Sequence, residues 1–303
     1  MNHAAQLAPA GKRRLLIEAC LIGTLALLVA ACGGSTETPP GTSPTGPGLQ
    51  AEIVASELLP GVQRFPVGIL DANTPVSDAV VHVRAFLVTG NTLQLKDQSD
   101  APFRGAGLEG RGLYVAQLRF DIAGNWGAEI TAQRPNGAHG VIRLPFKVID
   151  TPMVPAPGQA APRSHNPTVR DVPDVSYIDS GQPPDDMHEL SIADAIAQQR
   201  PNLVVFATPA FCVSATCGPQ VHAVQQLEPL YRNRLTFIHV EVYQGFKPDP
   251  SKRRLSDTFV QWRFQTEPWV FLIDAKGIIR YRFEATSDSD ELKAAIDQLL
   301  ASP

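Results

Sequence analysis

The rhythm of apolar and polar positions changes several times along this chain. Residues 19–31 carry no charged side chain; they follow the basic cluster Lys12, Arg13 and Arg14, with Glu18 at the junction. Residues 33–49 have no apolar period. Between 52 and 150 the apolar runs are short, alternate with period two, and break at Gly, Pro, Asn and Asp. Residues 64–70, 79–88, 114–120, 128–132 and 141–149 each read as a strand. In 79–88 the residues Val81, Val83, Ala85 and Leu87 share one face, while His82, Arg84 and Phe86 mostly take the other. No 11-residue window there has a helical period.

About seven short strands in roughly 100 residues predict an antiparallel sandwich of immunoglobulin-like type for 52–150. The phrase Phe120-Asp121-x-x-Gly124-x-Trp126 resembles the amino-terminal strand modules of bacterial lipoproteins over roughly 55–150. That resemblance implies a sandwich and no chemistry. Trp126 reads as a core or rim residue. Residues 97–112, polar and rich in glycine, read as a long flexible hairpin connection. Asp97, Asp100 and Glu109 lack the spacing of a calcium loop, so no metal is expected there.

Residues 151–186 hold many prolines and no period. They predict a semi-extended linker through 167, open to proteases, and an irregular lead-in lying along the next domain. His165 and His188 fall in this irregular stretch or at its end and read as surface residues. From 187 the pattern changes to strand, helix, strand, helix, hairpin, helix, an α/β order with an antiparallel edge. A helix starts at Ser191-Ile192-Ala193-Asp194 and stops at Pro201. Residues 203–207 are a strand of buried parallel type. Val221, Val224, Leu227 and Tyr231 line one side of the next helix, which Pro229 kinks without ending. Asp274-Ala275-Lys276-Gly277 turns a hairpin, and Leu292, Ile296, Leu299 and Leu300 stripe the closing helix.

The amino terminus reads as a targeting segment. The 13 residues 19–31 are too few to span a bilayer as a helix, which takes about 20, but suit a signal-peptide core. Val29-Ala30-Ala31-Cys32 resembles the lipobox of bacterial lipoproteins. The resemblance implies cleavage after residue 31, acylation of Cys32, and a lipid-anchored protein on the extracytoplasmic face of the cell membrane. The alternative is an ordinary secretory signal cut near Ala31. Fifteen of the 17 residues 33–49 are Gly, Pro, Ser or Thr, so 32–51 reads as a lipidated cysteine and flexible tether.

The whole chain has 26 Lys+Arg and 30 Asp+Glu, a net charge of -4. Removing 1–31 takes away three basic residues and one acidic residue, leaving 23 and 29, or -6. With no basic excess, a nucleic-acid partner is not expected. The same cleavage removes Cys20 and leaves Cys32 with the pair Cys212 and Cys217. Two free thiols five positions apart in an exported chain are a redox candidate.

Cys212 and Cys217 follow the first central strand, Glu267-Pro268 precedes a later one, and a hairpin and helix close the region. On these features 187–303 resembles the thioredoxin-like domains of exported bacterial proteins. The resemblance implies thiol–disulfide exchange with an exported protein or small molecule bearing a thiol or disulfide. It implies no resident cofactor, and gives Pro268 a cis peptide beside the thiols. Four residues separate the cysteines where the family has two. One register takes Cys217-Gly218-Pro219-Gln220 as the motif, with Cys217 attacking, Gln220 in the second thiol's place and Cys212 resolving. The other has Cys212 attacking across a lengthened loop. The first is preferred because Gly218-Pro219 fixes the helix start, where orphan amides lower a thiol pKa. Two alternatives remain: an inert disulfide in an interaction module, and a Cu(I) site of Cys212, Cys217 and His239.

Overall fold

The computed structural model describes residues 48–301. The expected signal segment, Cys32 and most of the expected tether lie outside them. Among the described residues no helix is long and apolar enough to cross a membrane.

The first lobe consists of β1 (Gln50–Ile53), β2 (Gly61–Asp71), β3 (Thr74–Pro75), β4 (Val80–Thr89), β5 (Thr92–Asp100), β6 (Phe103–Arg104), β7 (Leu113–Phe120), β8 (Gly124–Gln133) and β9 (His139–Val148). One sheet runs β1-β2-β7-β6 with β3 on β2, and the other runs β5-β4-β8-β9. The two sheets pack as a β-sandwich whose core takes Phe65, Val67 and Ile69 from β2, Val81, Val83 and Ala85 from β4, and Leu118 and Phe120 from β7. Period-two alternation produces this directly, because successive side chains leave opposite faces of a strand. Trp126 is a core residue, edge-on to Phe120 at 5.0 Å, with its indole N–H donating to the Ile122 carbonyl.

Two boundaries differ from the sequence reading. Leu49 is buried and Gln50 pairs with Leu70, so the fold begins ahead of residue 52. Part of 97–112 is ordered strand, because β5 runs to Asp100 along β4. An edge strand has one pairing partner and little apolar cover, so the end of β5 from Asp97 to Asp100 stays polar.

The second lobe consists of α1 (Ile192–Ala197), β10 (Asn202–Ala207), α2 (Cys217–Tyr231), β11 (Thr236–Glu241), the short pair β12 (Tyr243–Gln244) and β13 (Arg254–Leu255), α3 (Asp257–Gln261), β14 (Trp269–Ile273), β15 (Ile279–Glu284) and α4 (Ser289–Ala301). Its main sheet has the order β11-β10-β14-β15, with β10 and β11 parallel and the other pairs antiparallel. Every residue of β10 and β14 is buried, since both faces of the sheet are covered. Leu203 and Val205 meet Val224, Leu227 and Ile296 from α2 and α4 on one face. Val204 and Phe206 meet Ile196 of α1, Phe259 of α3 and Trp262 on the other. Ser191 caps α1: its Oγ accepts from the Asp194 amide and donates to the Asp194 carboxylate. Such a cap contributes about 1 kcal/mol. Pro229 lies inside α2, which continues past it to Tyr231.

The expected linker is instead a strap packed along the second lobe. Val154, Ala156 and Ala161 are buried. The Gly158 amide donates to the Ile279 carbonyl, Ile279 to Gln159, and Ala161 to Gly277, so the strap extends the edge at β15. Ser164 Oγ takes the Trp262 indole N–H at 2.9 Å, and Asn166 Oδ1 takes the Ile192 amide. The His239 amide donates to Met187 at the opposite edge of the sheet. His165 is exposed as expected, but His188 is buried. Prolines gave these residues the look of a linker; their backbone groups bond to the sheet and to side chains rather than to water.

The lobes join through enclosed polar contacts. Arg64 of β2 makes two 3.0 Å bonds to the Glu291 carboxylate and also donates to the carbonyls of Glu284 and Thr286. Arg282 reaches Glu57, whose carboxylate also accepts the Met153 amide. Arg64→Ala leaves a carboxylate and two carbonyls without a donor and should lower stability by about 3 kcal/mol, measured by denaturant titration. Trypsin should cut the folded chain after Arg163 or Arg170 no faster than it unfolds. A fragment beginning at residue 168 should be less stable than one beginning at 151, because it loses the strap's edge pairing.

Candidate functional site

The loop from Thr208 to Thr216 joins the fully buried strand β10 to helix α2; it carries Cys212 and ends just before Cys217, the first residue of α2. It is braced from three sides. The Cys212 amide donates to the Thr208 carbonyl at 3.1 Å and the Ala215 amide to Cys212 at 3.2 Å. From the strap, Ser180 Oγ accepts the Ala210 amide at 3.1 Å. From the sandwich, Arg111 Nη1 donates to the Ala215 carbonyl at 2.8 Å. The sandwich loop that carries Arg111 is tied down as well, for Ala106 exchanges bonds with Ser289 and Asp288 at the start of α4. Residues 105–112, expected to be a free connection, therefore brace the thiol loop.

Cys212 and Cys217 are free thiols with unlike surroundings. Cys212 is half-buried beside fully exposed Val213, and its Sγ lies 3.2 Å from the Ser214 hydroxyl. Cys217 is the first residue of α2 and has no exposed surface; its sulfur sits in the core cluster with Ala207, Val221 and Val270. The Cys217 amide, one of the helix-start groups without a carbonyl partner, donates to Cys212 Sγ at 3.4 Å. The Cys217 thiol, Ser214 and the amides of Cys217 and Thr216 together pull the Cys212 pKa down to about 5, against burial. The Cys212 sulfur and burial push Cys217 far up.

This reverses the preferred sequence assignment. The helix start does favour a thiolate, but its amide points at the preceding cysteine, and Cys217 itself faces the core. Gln220, placed by that register where a second thiol would stand, is buried with Oε1 accepting the Ser287 amide at 2.7 Å. The lengthened-loop register, with Cys212 outward and Cys217 inward, fits the geometry.

Glu267 completes the group. One carboxylate oxygen lies within 4.8 Å of both sulfurs. Burial, then the negative charges of Cys212 and Glu241, raises its pKa. In the sequence Glu267 stood out only as the residue before Pro268, and that place was the available signal. The Glu267–Pro268 peptide is cis and Pro268 is buried. Arg253 lies over the Phe211 ring at 5.0 Å, next to Cys212. His239 does not join the thiols: Nδ1 faces Asp185 at 2.7 Å and Nε2 faces the Ala207 carbonyl at 3.2 Å. The trio of Cys212, Cys217 and His239 is therefore not assembled. The ligand group at the thiols has a carboxylate as its third member, an oxygen donor poorly suited to Cu(I).

No family model matches the chain, and no curated protein matches it. Among solved structures it is similar to the PmoD soluble domain from Methylocystis sp. ATCC 49242 (Rockwell), at 10% identity and a TM-score of 0.22, covering 33% of this chain and 90% of that one. It is similar to murine CRIg at 12% identity and a TM-score of 0.23, covering 35% of this chain and 99% of that one. At these scores neither likeness carries an argument about function.

Iodoacetamide should modify Cys212 in the reduced, folded chain with a rate that rises through about pH 5 and levels off by pH 7, read by mass spectrometry. Cys217 should stay unmodified until the chain unfolds. The lowered pKa also makes the reduced protein lose stability as pH falls from the ordinary thiol range towards about 5. The sign follows from the thiolate being the form that folding favours.

Proposed function

We propose that this protein is a lipid-anchored extracytoplasmic thiol–disulfide oxidoreductase whose second lobe is a thioredoxin-like domain. The observation that carries the reading is the division of labour at the dithiol. One sulfur is accessible with its pKa drawn to about 5, and the other is enclosed beside a carboxyl group. An inert staple has no use for that asymmetry. The order of strands and helices supports the domain assignment.

In the reducing direction the Cys212 thiolate attacks one sulfur of a substrate disulfide. The S–S bond breaks, a mixed disulfide forms, and the other substrate sulfur leaves as a thiolate. Glu267 takes the Cys217 proton as the Cys217 sulfur attacks Cys212 Sγ. The second substrate thiolate departs, and two electrons have passed from the dithiol to the substrate. The same steps reversed oxidise a substrate dithiol. The partner is an exported protein or small molecule bearing a thiol or disulfide, and no cofactor is needed. Acylation at Cys32 would hold the chain at the membrane, with the following Gly, Pro, Ser and Thr residues as tether.

A redox titration should give a potential between about -270 and -120 mV, the range of exchange proteins. A pair that resists reduction below about -300 mV would point to a staple instead. Cys217→Ser should accumulate mixed disulfides through Cys212, whereas Cys212→Ser should accumulate none. Glu267→Gln should slow release of the mixed disulfide about tenfold or more, while leaving the first attack nearly unchanged. Cys32→Ala should move the protein from the membrane to the soluble fraction. Retention there with an unchanged mass would remove the anchor from this reading.

A further inference from the structure

Away from the thiols, a second group of ligating side chains is enclosed. Asp179, Asp185 and His188 come from the strap and the residue just beyond it, and His239 comes from β11. One donor atom from each lies within 4.8 Å of all the others. Both imidazoles have no exposed side-chain surface, and the carboxylates are 1% and 3% exposed. His239 Nδ1 stands 2.7 Å from Asp185 and 4.0 Å from Asp179. His188 Nε2 stands 3.1 Å from Asp185 and 3.4 Å from Asp179.

The hydrogen bonding narrows what the group can be. The Ala207 carbonyl only accepts, so His239 Nε2 carries a hydrogen, and Nδ1 is the atom aimed at the carboxylates. A bare lone pair at 2.7 Å from a carboxylate oxygen is repulsive, so a cation must lie between them, either a proton or a metal. His188 points to the metal. It is wholly enclosed, its Nε2 faces both carboxylates, and neither ring nitrogen completes a hydrogen bond. At 3.1 and 3.4 Å from the two carboxylates, that nitrogen is placed to share a cation with both of them.

Backbone amides hold the carboxylates in place. Asp179 accepts the amides of Gly181 and Asp185, and Asp185 accepts the amide of Met187. Amides and a carbonyl that orient carboxylate and imidazole ligands are the supports a metal centre uses. Charge is compatible with this, since a dication, two carboxylates and two neutral imidazoles sum to zero. Zinc bonds to nitrogen and oxygen are about 2.0–2.2 Å, which spaces tetrahedral donors about 3.3 Å apart. The imidazole–carboxylate contacts, which involve both oxygens of Asp185, run from 2.7 to 4.0 Å, on either side of that spacing.

We propose that Asp179, Asp185, His188 and His239 bind one divalent metal ion of the zinc type, four-coordinate and without an open position. A closed set of four protein ligands makes the ion structural. It fastens the strap to β11 behind the dithiol. Ser180, next to the first ligand, accepts the Ala210 amide of the thiol loop, so the ion also steadies the backbone that carries Cys212. The site stands independently of the redox reading.

The test uses the full chain carrying Cys212→Ser and Cys217→Ser, purified in detergent, so that neither of those thiols can contribute. Elemental analysis should find about one zinc per chain retained through dialysis. Stripping with a strong chelator should lower Tm, and returning Zn(II) should raise it by about 10 °C. Co(II) should give the visible absorption of a four-coordinate site without a thiolate band, and His188→Ala should lose it. If His188→Ala fails to fold, the stoichiometry and cobalt spectrum of the parent chain decide. A purified chain without metal, unmoved by Zn(II) and Co(II), with both imidazoles doubly protonated by NMR, would overturn the proposal.

Discussion

Helix α2 opens with an amide that has no carbonyl in reach, and the sulfur of Cys212 accepts its proton at 3.4 Å. Much of the second lobe's detail follows from that contact. For the sulfur to reach the helix start, residues 208–216 must fold back tightly, and Ala215 takes a left-handed backbone conformation at φ +55°. With the helix beginning at Cys217, that side chain falls on the inner face, among the apolar residues under the sheet. One turn further on, Gln220 falls on the same side and finds Ser287 ahead of α4. The exposed thiol is thus held by a group that belongs to the core, and its charge is stabilised by rigid backbone rather than by a mobile side chain.

The two lobes share this work. Arg111 of the sandwich binds a carbonyl in the thiol loop, and Arg64 clamps the carboxylate of Glu291 in the first turn of α4. These contacts are polar and directional, the Arg64 clamp partly buried and the Arg111 bond exposed, so they fix orientation more than they add affinity. A cleft of about 790 Å³ remains beside them, lined by Arg64, Arg282, Trp269 and Glu284, and it does not include the thiols. The sandwich is therefore part of the frame around the dithiol.

What the sequence revealed follows from how each feature is encoded. β2, β4 and β7 were legible because a half-buried strand must alternate, and β10 because a doubly covered strand must be apolar throughout. The helix start at Cys217 was legible from Gly218-Pro219. β5 was hidden because only Leu93 and Leu95 of its residues are apolar, too short an alternation to stand out from a connection. The strap was hidden because its order comes from single backbone bonds to distant residues, such as Ala161 to Gly277. The roles of the two thiols could not be read either. Local chemistry put the helix field at Cys217, whereas the direction in which each sulfur points is set by the loop's path. His239 did leave a trace: a histidine in the otherwise apolar run of β11 must have a buried partner, and Asp185 lay in the stretch taken for a linker.

The pairing of Ala160 with Ile278 and of Arg64 with Glu291 orders the assembly of the molecule in time. A chain that emerges from its amino terminus can complete the sandwich while more than 100 residues are still to come, because the contacts of that lobe close among themselves. The strap emerges next and finds no sheet edge to join. It can settle only after β15 has formed, and the sandwich can lock to the second lobe only when the first turn of α4 arrives. Contacts this remote in sequence form late and slowly. Cys212 and Cys217 are already in the chain through that interval, before the strap and sandwich have closed around their loop. The nascent protein therefore passes through a stage in which both thiols are open to oxidation, and the asymmetry between them is a property of the finished fold alone.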